Sequence, residues 1–379
     1  MKANLRSLAV LTAFTPTLLL YQNCAPAFEA ASPTSSLSSG GGGTQPTLPL
    51  ASPKRVLMAT GQVGRRLFSC DDGLSWRGDQ SDDSVLQCVN GVDCDHMASS
   101  GRGLAYGGGA FYANFGWGAN GSLRKSVDGL NWTIIRTGGW GAGVGYRDGQ
   151  LYHAWNGGSV STDEQTWTAA GSLPGNLDHP FFREEDGKLF AISAAGGTFA
   201  TSADGGLSWQ GETAPTWTRD LAAGNGRIIA VGTTDTAGGQ PNRFQASLSS
   251  DGGATWSQVE LGTGSYSAMV RIIFDGSQFK AFQAGAGGAP NRVFSSLDGV
   301  TWQTDVISIP GYGNYFNGAF GFDKTTGTFV MSANSYASQQ MIRSIDGGKN
   351  WTVLDSPSFK GGHPILSIVA GTVTTSACE

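Results

Sequence analysis

The chain has 379 residues, a formal net charge of −5, 14% charged residues, 58 glycines and 11 tryptophans. An acidic balance without a basic run excludes the electrostatic footprint of a nucleic-acid binder. So much glycine and aromatic residue, with little charge and no helical periodicity, excludes a helical bundle and describes short strands joined by tight turns.

At the start, Lys2 and Arg6 precede an apolar stretch from Leu8 to Leu20, interrupted by Pro16. It is too short for a membrane span and reads as a secretory signal. At its end, Leu20-Tyr21-Gln22-Asn23-Cys24 resembles a lipobox, with Gln22 and Asn23 where small residues usually stand. The resemblance implies cleavage before Cys24 and acylation of that cysteine. The alternative is an ordinary cleaved signal with an incidental cysteine. The expected organisation is a signal over residues 1–23, a lipidated Cys24 with a flexible Ser/Gly/Pro tether to residue 53, and a folded domain over 54–379. That set predicts a lipid-anchored location in a bacterial cell envelope, at the outer membrane with the periplasmic or surface side left open, touching the membrane through its lipid alone.

From residue 54 onward one phrase returns seven times: a serine, an aspartate two residues on, then a tryptophan, with glycine between them in every copy except Ser161 to Trp167. Its fullest copies are Ser202 to Trp209, Ser249 to Trp256 and Ser344 to Trp351. The seven aspartates are Asp71, Asp128, Asp163, Asp204, Asp251, Asp298 and Asp346, at steps of 57, 35, 41, 47, 47 and 48 residues. That is the period of a four-stranded propeller blade. Ser and Asp side chains hydrogen-bond their own turn and Gly supplies positive φ, so the phrase closes a tight hairpin without distant help. The Trp then opens the next strand and can bury a flat surface between repeats. A functional carboxylate would not need seven copies, so the aspartates read as structural.

Upstream of the turns lie pairs of short apolar runs hinged by Gly-rich or Asp-Gly turns, as in residues 102–115 and 219–232 and at Asp148-Gly149, Asp186-Gly187 and Asp275-Gly276. Each blade therefore reads as inner, second, third and outer strand. Ahead of the first Ser-Asp turn there is room only for 56–60 and 66–70, whereas 365–370 is left over at the end. The prediction is an all-β, seven-bladed β-propeller of four-stranded antiparallel blades. Its C-terminal strand joins the first blade and closes the ring, removing exposed sheet edges.

The repeated phrase resembles the Asp-box of sialidases and other BNR-repeat propellers, a family that includes sortilin-type receptors, xyloglucan hydrolases and a photosystem II assembly factor. The resemblance covers roughly 54–379. It implies that the seven aspartates sit between third and outer strands, on the face away from the usual ligand site.

Setting Cys24 aside leaves four cysteines, an even number that suits an oxidising compartment. Cys88 and Cys94 flank a five-residue loop, which favours a Cys88–Cys94 bridge and leaves Cys70 with Cys378 to staple the closing strand. Four cysteines admit three pairings, and sequence does not choose among them. Neither a second C-x-x-C nor a His pair accompanies these thiols, so no metal is expected, and no fingerprint calls for a cofactor.

Function is expected on the face carrying the loops into each inner strand and those between second and third strands. The residues there are His96, Trp140, His179, Trp217, Arg219, Asp220, Arg271, Tyr315 and His363. Such a mixture suits a glycan or a protein hot spot, and packing at blade junctions is the plainer account of each aromatic. The related sequences 238–243 and 287–292 place Arg243 and Arg292 similarly in adjacent blades, either as paired guanidinium groups for an anion or as duplicated turn chemistry. The Arg-Ile-Pro signature that a sialidase carries is replaced by Lys54-Arg55-Val56-Leu57, and the chain has only seven glutamates. Two opposed carboxylates would suffice for another glycosidase; Asp95, Asp178, Glu184 and Asp220 are available, with no spacing that singles out a pair. The expected function is non-catalytic binding of a protein or glycan by a monomeric propeller, with a glycoside hydrolase or an assembly factor as alternatives.

Overall fold

Short strands separated by turns at positive φ form seven four-stranded antiparallel sheets, the blades of a propeller. The computed structural model describes residues 53–61, 64–80, 103–115, 121–138, 143–174, 177, 180–193, 197–234, 243–263, 270–285, 290–309, 319–332, 340–354, 365–374 and 378. Blade two is built in sequence order from Gly103–Gly107, Ala110–Phe115, Ser122–Ser126 and Thr133–Thr137. Blades three to seven repeat this pattern.

Blade one departs from it as the sequence requires. Its inner strand is Ile365–Val373, paired along Lys54–Gly61 from Lys54 opposite Val373 to Thr60 opposite Ser367. Arg66–Ser69 and Arg77–Gln80 follow outward. Cys70 and Cys378 form a disulfide that fastens this closing strand to the blade it completes. The seam between blades seven and one carries two more clasps. Arg55 donates through Nε to Asp323 Oδ2 at 2.6 Å, and Arg343 donates through Nη2 to Asp72 Oδ2 at 2.6 Å.

Strand alternation sends successive side chains to opposite blade faces, so every blade buries both faces against its neighbours. Seven separate apolar clusters result, one at each blade junction. Val56 and Met58 pack toward blade two, against Phe111 and Phe115, while Leu57 and Ala59 pack toward blade seven, against Val330 and Met341. Each cluster contains the Trp that follows a Ser-Asp turn, lodged against the preceding blade: Trp76, Trp132, Trp167, Trp209, Trp256, Trp302 and Trp351. Trp256 shows the fit. Its Nε1 donates to Gly253 O in its own turn at 2.9 Å and to Thr213 O of blade four at 3.0 Å.

Glycine in the inner strands serves close approach between blades. A Cβ at Gly107 would stand 1.8 Å from Tyr146 Cδ1 of the next blade, and one at Gly224 would stand 2.3 Å from Phe274 Cγ.

The Ser-Asp turns share one hydrogen-bond scheme. In blade four, Ser202 Oγ donates to Asp204 Oδ1 at 2.7 Å, Gly206 N donates to Ser202 Oγ at 2.7 Å, and Ser208 N donates to Asp204 Oδ1 at 2.9 Å. Bonds to Thr166 and Gln165 hold Asp163 down to about 2, those to Thr255 do the same for Asp251, and those to Thr301 and Val300 for Asp298. Because strand direction alternates, these turns share one face with the inner-to-second hairpins. The second-to-third loops and the interblade loops occupy the other, the loop face.

Candidate functional site

The inner strands line a central channel: Gly103–Gly107, Val144–Arg147, Phe181–Glu185, Thr218–Gly224, Val270–Phe274, Phe320–Asp323 and Ile365–Val373. Two cavities are stacked along it. One of about 220 Å³ lies toward the loop face, among Gly103, Val144, Phe181, Asp220, Arg271 and Leu366. The other, about 340 Å³, lies toward the turn face, among Tyr106, Tyr146, Glu185, Phe274, Phe322 and Lys324. They share a waist of Leu104, Phe182, Arg183, Phe320, Ile368 and Val369.

Inner strands of neighbouring blades do not pair with one another, so their channel-side backbone groups need other partners. Arg183 and Asp220 supply them. Arg183, on the inner strand of blade four, donates through Nη2 to Asp220 Oδ1 of blade five at 2.6 Å and through Nη1 to Ile272 O of blade six at 2.9 Å. It also donates to Leu221 O. Asp220 in turn accepts from Leu221 N at 2.9 Å and from Ile272 N at 3.0 Å. Glu185 Oε1 stands 3.4 Å from Arg183 Nε, and its Oε2 accepts from Ala223 N. This network binds three blades together. Burial works to lower Arg183, but Asp220 and Glu185 outweigh it and hold the guanidinium above its ordinary value. Burial raises Glu185, and it lowers Arg271 despite the pull of Asp220.

These contacts relocate two residues expected on the loop face. Asp220 is wholly buried between blades, bonded to Arg183 of blade four and Ile272 N of blade six, and Arg271 is half-buried; both line the cavity toward the loop face, inside the ring. Trp217 lies half-buried over Gly232, where its carbonyl oxygen and ring leave no room for a Cβ, so it packs within its own blade. Arg219 is exposed, at a bulge where Thr218 pairs with Gly232 and Asp220 with Val231. Bulges re-aim side chains, and this one turns Arg219 outward at the channel rim. Arg243 and Arg292 begin the third strands of blades five and six in equivalent positions. Arg243 is engaged with Glu260 at 3.6 Å. His96, Trp140, His179, Tyr315, His363, Asp95, Asp178, Cys24, Cys88 and Cys94 lie outside the described residues.

Sequence reasoning passed over Arg183, Glu185 and the aromatic wall of Phe182, Phe274, Phe320 and Phe322. One signal for the first two was present: Phe181–Glu185 carries three consecutive charges in an inner strand, where the corresponding strand of blade two reads Gly-Leu-Ala-Tyr-Gly. Among the described residues, no group of three or more His, Cys, Asp or Glu could hold a metal ion.

No family model and no curated protein matches the sequence. Solved structures do. The chain is similar to the GH74 xyloglucanase from Xanthomonas campestris, at 13% identity and a TM-score of 0.54, over 80% of this chain and 53% of that one. The chain thus spans about half the length of that enzyme. A protein from Lactobacillus plantarum matches at 13% identity and a TM-score of 0.53, over 84% of this chain and 100% of that one. YCF48 bound to a D1 peptide matches at 16% identity and a TM-score of 0.43, over 66% of this chain and 79% of that one. What the first two share with this chain is the fold. It is a seven-bladed β-propeller.

Proposed function

We propose that this chain is a non-catalytic, lipid-tethered envelope propeller that binds a protein or glycan partner at the loop-face mouth of its channel. The observation that carries this reading is the fate of the channel carboxylates. Among the described residues, the buried carboxylates Asp220, Glu185 and Asp323 each bond to a neighbouring blade, and the exposed Glu184 lines the turn-face cavity, away from the loop-face mouth where aromatic faces and the outward-turned Arg219 form the proposed recognition surface. Aromatic walls with a few placed polar groups suit binding. The accompanying family reading is the Asp-box propeller, supported by seven turns with shared hydrogen bonding. Anchoring through Cys24 rests on the sequence between Leu20 and Cys24.

One observation favours a second reading, a glycoside hydrolase: burial raises the Glu185 carboxyl, as a general acid requires. Its Oε2 already accepts from Ala223 N, which favours the structural role.

A photo-crosslinking residue at position 219, with another at 207 on the opposite face, tests the binding surface in cells. Discrete adducts from 219 and none from 207 are expected for a protein partner. A chain that gives no adduct from 219 and retains no glycan on an array overturns the reading.

A further inference from the structure

The chain enters its first strand at Lys54, opposite Val373, the end of the inner strand that lies on the turn face. The tether therefore joins the propeller on the face of the Ser-Asp turns. That face also carries exposed aliphatic side chains. Of the eight large apolar residues exposed among the described residues, six lie in Ser-Asp turns: Leu74, Val127, Leu207, Leu297, Val300 and Ile345. Five of these six belong to four consecutive blades, with Leu297 and Val300 in blade six, Ile345 in blade seven, Leu74 in blade one and Val127 in blade two. Blade one, where the tether enters, lies within this arc. The corresponding turns of blades three and five, Ser161 to Trp167 and Ser249 to Trp256, present Glu164, Gln165, Ser250 and Ala254 instead.

The turn geometry gives these side chains no structural task. The Ser and Asp of each turn make its shared hydrogen bonds, joined in several turns by the residue before the Trp, and the Trp makes the core contact; none of these bonds uses the exposed aliphatic side chains. Leu297 is 69% exposed and Ile345 is 66% exposed. Apolar residues gathered on one face around the attachment point are what a second, weak membrane contact would use, since lipid-anchored proteins hold their membrane more firmly with two signals than with one. Burial works to raise Asp71, Asp128 and Asp346, but hydrogen bonds from Ser75, Asn131 and Asn350 outweigh it and lower them, so they remain ionised beside the aliphatic tips. The complementary surface is consequently zwitterionic lipid rather than an anionic one.

We propose that the Ser-Asp turns of blades six, seven, one and two rest on a zwitterionic lipid surface, presenting the loop face and channel mouth away from it. The orientation rests on the reading of Cys24 as an anchor and deepens it: the ring is docked by one face.

Hydroxyl-radical footprinting of the full chain tests this, with and without phosphatidylcholine vesicles at high lipid concentration. Labelling of Leu74, Leu297, Val300 and Ile345 should fall several-fold on vesicles. Val306, exposed on an outer strand, is the internal reference and should not change. The triple variant Leu74→Ser/Leu297→Ser/Ile345→Ser should lose the protection at Val300. Equal labelling with and without lipid, or protection of Val306 to the same degree, overturns the proposal. The mass of the N-terminal peptide from cells tests the anchor separately. An unmodified Cys24 with protected turns would sink the anchor alone, and an acylated Cys24 with unprotected turns would sink the docking face alone.

Discussion

Breaking the Cys70–Cys378 bond removes the covalent staple on the closing strand, and the size of the loss follows from chain topology. The two cysteines are 308 residues apart, so the bond encloses nearly the whole propeller. Chain entropy for so long a loop gives about 6 kcal/mol, against about 2–4 kcal/mol for typical disulfides. The bond fastens a strand that already has backbone pairing along Lys54–Gly61, a junction core and the Arg55–Asp323 clasp. A Cys70→Ser/Cys378→Ser variant should therefore fold, with a stability loss of about 3–6 kcal/mol. At a slope of about 3 kcal/mol per molar urea, the unfolding midpoint should move down by about 1–2 M. Circular dichroism of both proteins across a urea series reads this directly. A midpoint within about 0.2 M of the parent would refute the reasoning, because the closing strand would then hold without its covalent staple.

The other expectations concern packing, charge and pH. Gly224→Ala places a Cβ 2.3 Å from Phe274 Cγ and should cost about 1–3 kcal/mol, read as a drop in melting temperature. Arg183→Met strands the buried Asp220 carboxylate and should cost about 3–5 kcal/mol in urea unfolding, more than Arg219→Met at the exposed rim. His153 is buried against Asn114, with Nε2 3.1 Å from Oδ1, and burial together with nearby Arg136 pushes it down to about 3. The unfolded chain therefore binds the extra proton below about pH 6.5, so stability falls as pH drops, by about 3 kcal/mol at pH 4. A stability profile from pH 7 to 4 should be flatter in His153→Asn. Asp163, Asp251 and Asp298 have depressed values, so their contribution is present above about pH 4 and disappears as pH falls toward 2. Their triple Asn variant should lose part of the acid-unfolding slope in that lower window.

The fold was legible because its information is local and repeated. Each Ser-Asp turn carries its own hydrogen bonds, and the missing inner strand before Ser69 together with the surplus strand at Ile365 specified the closure of the ring. The channel was far less legible. Arg183, Asp220 and Ile272 come from three blades, and nothing periodic in the sequence links them. Asp220 drew attention as a polar residue near the start of an inner strand, yet its partners are Arg183 and two backbone amides. Arg219, its neighbour, faces outward only because a bulge interrupts the strand pairing there. No residue pattern in the run Thr218 to Gly224 announces that bulge.

The most direct test of binding without chemistry exposes the full chain to a broad glycan array and assays sugar release from the same glycans, in parallel with Glu185→Gln. The account predicts no release from either protein, with any retained glycan held equally by both. Release by the parent that disappears in Glu185→Gln would contradict it and make the channel a hydrolase site.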